Sequence, residues 1–152
     1  MLRRSCNFNM ADPTLNADRH KAATLIARWL QGSITNWQLE DEWPEQSTDR
    51  GVVDIGRAMW TLYPDFPERP LKPSNLDPEH LALLQRCLSF LRSDASYEAV
   101  PYEEATQWKP NLLTRLLGVK ERPWETMRLK IEPERQKWWP FANEAQWRAV
   151  QP

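Results

Sequence analysis

The groups in this chain that could do chemistry are few and scattered. His20 and His80 stand alone, and the two cysteines, Cys6 and Cys87, lie far apart. A zinc site needs His, Cys or carboxylate clustered at ligand spacing, so neither a metal site nor a cofactor is expected. A cysteine nucleophile needs a base beside it. Cys87 falls instead on the apolar stripe of a predicted helix, where a thiol packs as a small hydrophobe. Gly32, Gly51, Gly56 and Gly118 are too dispersed for a phosphate-cradling loop, and there is no GxSxG elbow.

The carboxylates offer more. Glu40, Asp41 and Glu42 form one cluster; Asp94, Glu98, Glu103 and Glu104 form a looser one. Two acids with separated pKa values can serve as acid and base. Asp94 with Glu98, or Glu40 with Asp41, would then make a small hydrolase or transferase. The other chemistry is recognition. Trp37, Glu40, Asp41 and Trp43, with Asp94, Tyr97 and Glu98, place aromatic rings beside acids in and near loops. Rings give contact area, and acids orient a basic partner. The bland account is that Trp37 and Trp43 cap the core while the acids face water. The leading expectation is a non-enzymatic protein-binding module with those seven residues as its binding set. The carboxylate-pair enzyme is the alternative.

Composition narrows the partner. The formal net charge is -1 and no basic run is present, which argues against nucleic acid, whose binding rests on Lys and Arg. Nucleic-acid association would require the cations of residues 115–137 on one face. No stretch approaches the ~18 apolar residues of a membrane helix. The start, MLRRSCNFNM, has two arginines without an apolar run behind them, so it does not read as a signal peptide. Free thiols fit a reducing compartment, and a cytoplasmic location is expected. Nine Trp, thirteen Pro and only four Gly suggest stiff connections and a core filled by indoles.

These groups need elements to hold them. Residues 1–13 read as a flexible leader, with Met10 as an alternative start, and 14–152 as one globular domain. Ala23, Ile26, Ala27 and Leu30 share a face of a helix predicted from Asn16 to Gln31, with Gly32 at its C-terminus. Asn36 caps a short turn through Glu42. A second long helix is predicted from Thr48 to Tyr63, with Val52, Ile55, Gly56, Met59, Trp60 and Tyr63 on one face. Gly56 there permits close approach by another helix. The five prolines from Pro64 to Pro78 predict an extended connector. Asp77 and Pro78 open the clearest helix, running to Ser93 with Leu81, Leu84, Leu88 and Leu91 as its stripe, widened by Cys87 and Phe90. A further helical piece is predicted over Pro110 to Leu117. Met127, Leu129 and Ile131 alternate with Arg128 and Lys130 as a strand does, and Trp138 to Phe141 is the expected second strand of a small C-terminal hairpin. Asn143 caps a last short helix. The fold class expected is mainly α, a compact bundle of four to five short helices with that hairpin.

FLRSDASYE (Phe90 to Glu98), ITN (Ile34 to Asn36) and WPF (Trp139 to Phe141) resemble motifs of a set of small bacterial proteins of unknown function. The resemblance covers most of the chain after residue 16. It implies a cytoplasmic bacterial protein and supplies no catalytic residues. In style, a small Trp-rich protein with acidic patches is also similar to immunity proteins that neutralise bacterial toxins, so an immunity-like inhibitor is the specific form of the binding expectation.

Overall fold

The computed structural model describes residues 13–104 and 127–152. Six α-helices and two small antiparallel sheets occupy the described residues, a mainly α fold with a small β element. Residues 1–12 of the predicted leader, with Cys6 and Met10, the piece over Pro110 to Leu117 and the basic residues of 115–126 lie outside them, while Pro13, the leader's last residue, is already helical.

Helix α1 (Pro13–Leu30) buries Ala22, Ala23, Leu25, Ile26 and Trp29. Gly32 terminates it with φ of 69°, a conformation that lacks a steric cost only without a Cβ. The amide of Ser33 then reaches back to the Arg28 carbonyl at 2.9 Å. Strand β1 (Ile34–Thr35) follows and leads directly into α2 (Asn36–Glu42). The cap of α2 is Thr35, one residue earlier than the sequence suggests, because Thr35 and Gln38 close a reciprocal capping box. That frees the Asn36 side chain for another task.

Helix α3 (Arg50–Trp60) is capped by Asp49, whose carboxylate accepts from the Gly51 amide at 2.8 Å. Asp49 also takes an ion pair from Arg19 of α1 at 2.5 Å, and Arg19 donates to the Ser93 and Ala95 carbonyls. One guanidinium thus ties α1 to the start of α3 and to the loop after the next long helix. That helix, α4 (Pro78–Leu91), starts as expected, with Asp77 capping the His80 amide and Pro78 at the first position. Its buried residues are Leu84, Cys87, Phe90 and Leu91, so the core-facing line is turned toward Cys87 and Phe90 relative to the leucine stripe. Burial raises the Cys87 thiol pKa to about 12, as fits a packed, unreactive sulfur. The cores of α1, α3 and α4 meet in one apolar cluster that also takes in Trp139 and Phe141.

The proline connector is extended only in part: residues 65–67 bend, Pro70–Leu71 forms β2, paired antiparallel with β1, and Pro73–Asn75 makes a 3-10 turn where the prolines had predicted extended chain. The C-terminal strand, β4 (Met127–Leu129), is present where alternation places it, but its partner is β3 (Tyr102–Glu104). The expected second strand at Trp138 to Phe141 does not form. After the short helix α5 (Pro133–Gln136) the chain turns instead: the Trp138 and Trp139 amides bond to the Arg135 carbonyl and the Phe141 amide to the Trp138 carbonyl, and Trp139, Pro140 and Phe141 are buried in succession, without the alternation of a half-buried strand. Helix α6 (Glu144–Ala149) closes the described chain with the predicted Asn143 cap.

Candidate functional site

Asn36 is fully buried, and its side chain organises the loop that follows α3. Its Nδ2 donates to the carbonyls of Pro64, Asp65 and Pro67 at 3.3, 2.9 and 3.3 Å, and its Oδ1 accepts from the Arg69 amide at 2.8 Å. Four residues of the loop are held by one side-chain amide. Trp37 adds a further tie, its indole N–H donating to the Asp65 carbonyl at 3.1 Å. Arg69 folds back on the same loop, donating to the Phe66 and Pro67 carbonyls.

This corner carries the two exposed large hydrophobic residues of the described chain. Phe66 is 76% exposed and Trp37 is 43% exposed. Single exposed apolar residues are ordinary, whereas an exposed pair on a rigid support is informative. Acids surround it. On α2, Glu40 and Asp41 lie three and four residues after Trp37, to either side of its line, Asp41 exposed and Glu40 half-buried. Asp41 and Glu68 are exposed, and Glu68 accepts from the Thr35 hydroxyl at 2.8 Å. Phe66 lay in a proline-rich connector, where a sequence reading had no periodicity to mark it.

Trp43 is placed differently. It is buried, its Nε1 donates to the Val52 carbonyl, and its ring lies against the backbone of Gly56. The close approach that Gly56 permits is therefore by an indole from the end of α2, not by another helix.

Tyr97 points inward as well, to a polar centre beneath α3. Asp54 has no exposed surface and accepts from the Tyr97 hydroxyl at 2.8 Å, from Arg50 Nε at 2.7 Å and from the Tyr102 hydroxyl. The Trp139 indole N–H in turn donates to the Tyr97 oxygen at 3.2 Å. The guanidinium carbons of Arg50 and Arg57 lie 4.3 and 4.5 Å from the centroid of the Tyr102 ring. Both oxygens of Asp54 are engaged and no face is open, so the centre is a tie between α3, β3 and Trp139 rather than a general base.

The same geometry sets a pH response. Burial, then the charge of Asp54 and the hydrogen bond to it, pushes the Tyr97 hydroxyl up; burial, then the bond to Asp54 and its charge, pushes Tyr102 up from 10.0 to about 12. Because the folded values exceed the unfolded one, this stabilisation is complete below the unfolded tyrosine pKa, ~10. It is lost as pH rises through about 12. An alkaline titration followed by tyrosinate absorbance and circular dichroism should show Tyr97 and Tyr102 ionising only as the fold is lost. Ionisation of both at the ordinary pH with the fold intact would refute the tie.

The carboxylates do not converge. Neighbours Glu40 and Asp41 diverge around α2, since i and i+1 residues do not face each other. Asp94 is exposed at the rim of a 270 Å³ hollow against α1, with Arg19, His20 and Arg92. Glu98 turns to α5, its carbonyl accepting from Arg135 Nη2 at 2.6 Å and its carboxylate 3.9 Å from Nη1. Among the described residues no two acids are seen paired in a cavity, and no group of three His, Cys, Asp or Glu is placed to hold a metal ion.

A second concavity, a groove of about 910 Å³, runs between α3, α4, β4 and α5. Leu62, Leu83, Leu129 and Ile131 form its apolar lining, and Arg57, Arg86, Arg128 and Lys137 its cations, against one carboxylate, Glu79. Its charge is opposite in sign to that of the Trp37 corner. No helix of the described residues is long and apolar enough to cross a membrane.

No family model matches the chain, and no curated protein or solved structure matches it.

Proposed function

We propose that this protein is a non-enzymatic binding module that takes a protein partner at the corner formed by Trp37 and Phe66. The observation that carries this reading is Phe66 itself, 76% exposed on a loop whose backbone is fixed by the buried Asn36. An exposed aromatic normally gives up loop and rotamer freedom on binding. Here the loop is already ordered, which lowers that cost. Trp and other aromatic anchors dominate interface energies when they enter a partner's pocket. The acids Asp41 and Glu68 flank the rings and favour a partner with a basic rim, through faster and better oriented encounter.

An immunity-like inhibitor of a basic bacterial toxin is the particular form of this reading that we favour. A rigid aromatic knuckle with acidic flanks is a means of occluding a basic site without chemistry. The corner contributes Trp37 and Asp41 from the sequence-derived set, with Glu40 half-buried on the same helix. Trp43, packed on Gly56, and Tyr97, bonded to Asp54, are turned inward and are not part of it.

Phe66→Ala should leave the thermal midpoint unchanged, because the ring makes little contact. Affinity capture from a lysate of the source organism, comparing the wild type with Phe66→Ala and Asp41→Lys, checks the function. A near-stoichiometric basic partner should be captured by the wild type and weakened about 30-fold by Phe66→Ala, the ~2 kcal/mol of an interface anchor. Equal capture of the same proteins by all three forms would overturn the assignment.

A further inference from the structure

The groove between α3, α4, β4 and α5 shares no residue with the Trp37 corner. We propose that it is a second docking surface, and that its occupant is an acidic amphipathic helix of a protein partner. Charge carries the choice of partner. The whole chain has a net charge of -1, yet four cations and one carboxylate line this one depression. Arg86 is fixed there, donating to the Trp139 and Gln136 carbonyls at 3.2 and 3.4 Å. Burial lowers its pKa from the ordinary 12.5, as fits a cation half withdrawn from water. Lys137 is exposed at the α5 side, and Arg57 lies on the α3 side above Tyr102. Among the described residues Arg128 has a carboxylate partner, Glu103, at 2.7 Å on the neighbouring strand.

Shape and lining select a helix. The half-buried side chains of Leu62, Leu83, Leu129 and Ile131 line the same groove as the four cations. That is the complement of a helix with leucines at i, i+3, i+4 and i+7 and acids on its other faces. Helix α4 lines the groove from Pro78 to Arg86, a run of about 12 Å at 1.5 Å per residue, which matches two turns of a docked helix. A nucleic acid fits less well, because sequence-tolerant strand binding uses exposed ring faces for base stacking. The one aromatic residue lining the groove, Trp139, is 1% exposed.

The test uses the full chain and a labelled helical peptide of about 14 residues, with Leu at i, i+3, i+4 and i+7 and Glu elsewhere. Fluorescence anisotropy should give saturable binding that weakens as salt rises. The same peptide with Lys in place of Glu, or with a central proline, should bind at least about tenfold more weakly. Lys137→Glu, at an exposed position, should weaken the Glu peptide by a similar factor at an unchanged thermal midpoint. Absence of binding by the Glu peptide, equal binding of the Glu and Lys peptides, tolerance of the central proline, or tighter binding of a single-stranded oligonucleotide would each overturn the proposal.

Discussion

Asp54→Ala is expected to destabilise the protein by about 3–4 kcal/mol, the range for removing the acceptor of a buried hydrogen-bonded cluster. Asp54 accepts from two tyrosine hydroxyls and one guanidinium. Arg50 is 44% exposed and regains water when the carboxylate goes, so it contributes little of the loss. The tyrosine hydroxyls fare worse, since Tyr97 lies between α3 and Trp139 and would be left facing an apolar cavity. Asp54→Asn keeps the volume but turns one acceptor into a donor that faces other donors, and should cost about half as much. Urea denaturation of both variants measures this. A loss below about 1 kcal/mol for the alanine variant would mean that β3 is held to α3 by apolar contacts alone.

Gly56→Ala is expected to cost about 2–3 kcal/mol, against a propensity that on its own would favour alanine in a helix by up to ~1 kcal/mol. A Cβ at Gly56 would sit 2.3 Å from Trp43 Nε1 and 2.9 Å from two ring carbons. A rigid indole cannot bend away as a flexible chain end can, so Trp43 or α3 must move. The indole also donates to the Val52 carbonyl, and displacing it strands that bond. Trp43→Phe in the same chain should recover part of the loss, a non-additivity visible in a double-mutant cycle. A neutral or stabilising Gly56→Ala would show that Trp43 is not packed on this helix.

Local features of the chain were legible. Asp77 with Pro78 marked the start of α4, Gly32 the end of α1 and Asn143 the start of α6, because caps are read from neighbouring residues alone. Met127 and Leu129 betrayed a strand by alternation, but alternation does not name a partner. The pairing with Tyr102–Glu104 joins segments that no short-range signal links. Asp54 was hidden for a related reason. It lies off the predicted apolar line of Val52, Ile55 and Met59, with Arg50 four residues before it, and nothing local marks it as buried. Only Tyr97 and Tyr102, brought over it by the chain after α4, bury it.

The candidate surface was legible in half. Trp37, Glu40 and Asp41 follow from aromatic–acidic composition on one short helix, where Trp37 and Asp41 are exposed and Glu40 is half-buried. Trp43 has the same composition around it, yet a tryptophan just past a helix end can fold in or out, and the space over Gly56 decides the matter. Phe66 was invisible because exposure on a prolyl loop is set by Asn36, thirty residues earlier, through hydrogen bonds that a linear reading does not see. The groove was invisible altogether, since its cations come from α3, α4, β4 and the end of α5.

The most direct test of the account is photo-crosslinking from the corner itself. A photoreactive phenylalanine analogue is placed at Phe66 and, as a control, at Lys21, an exposed site on α1. Both proteins are irradiated in the lysate of the source organism. The account predicts one discrete adduct with a basic protein from position 66, absent from position 21 and suppressed by Asp41→Lys. No adduct from position 66, or the same adducts from both positions, would contradict the claim that the Trp37–Phe66 corner is the binding surface.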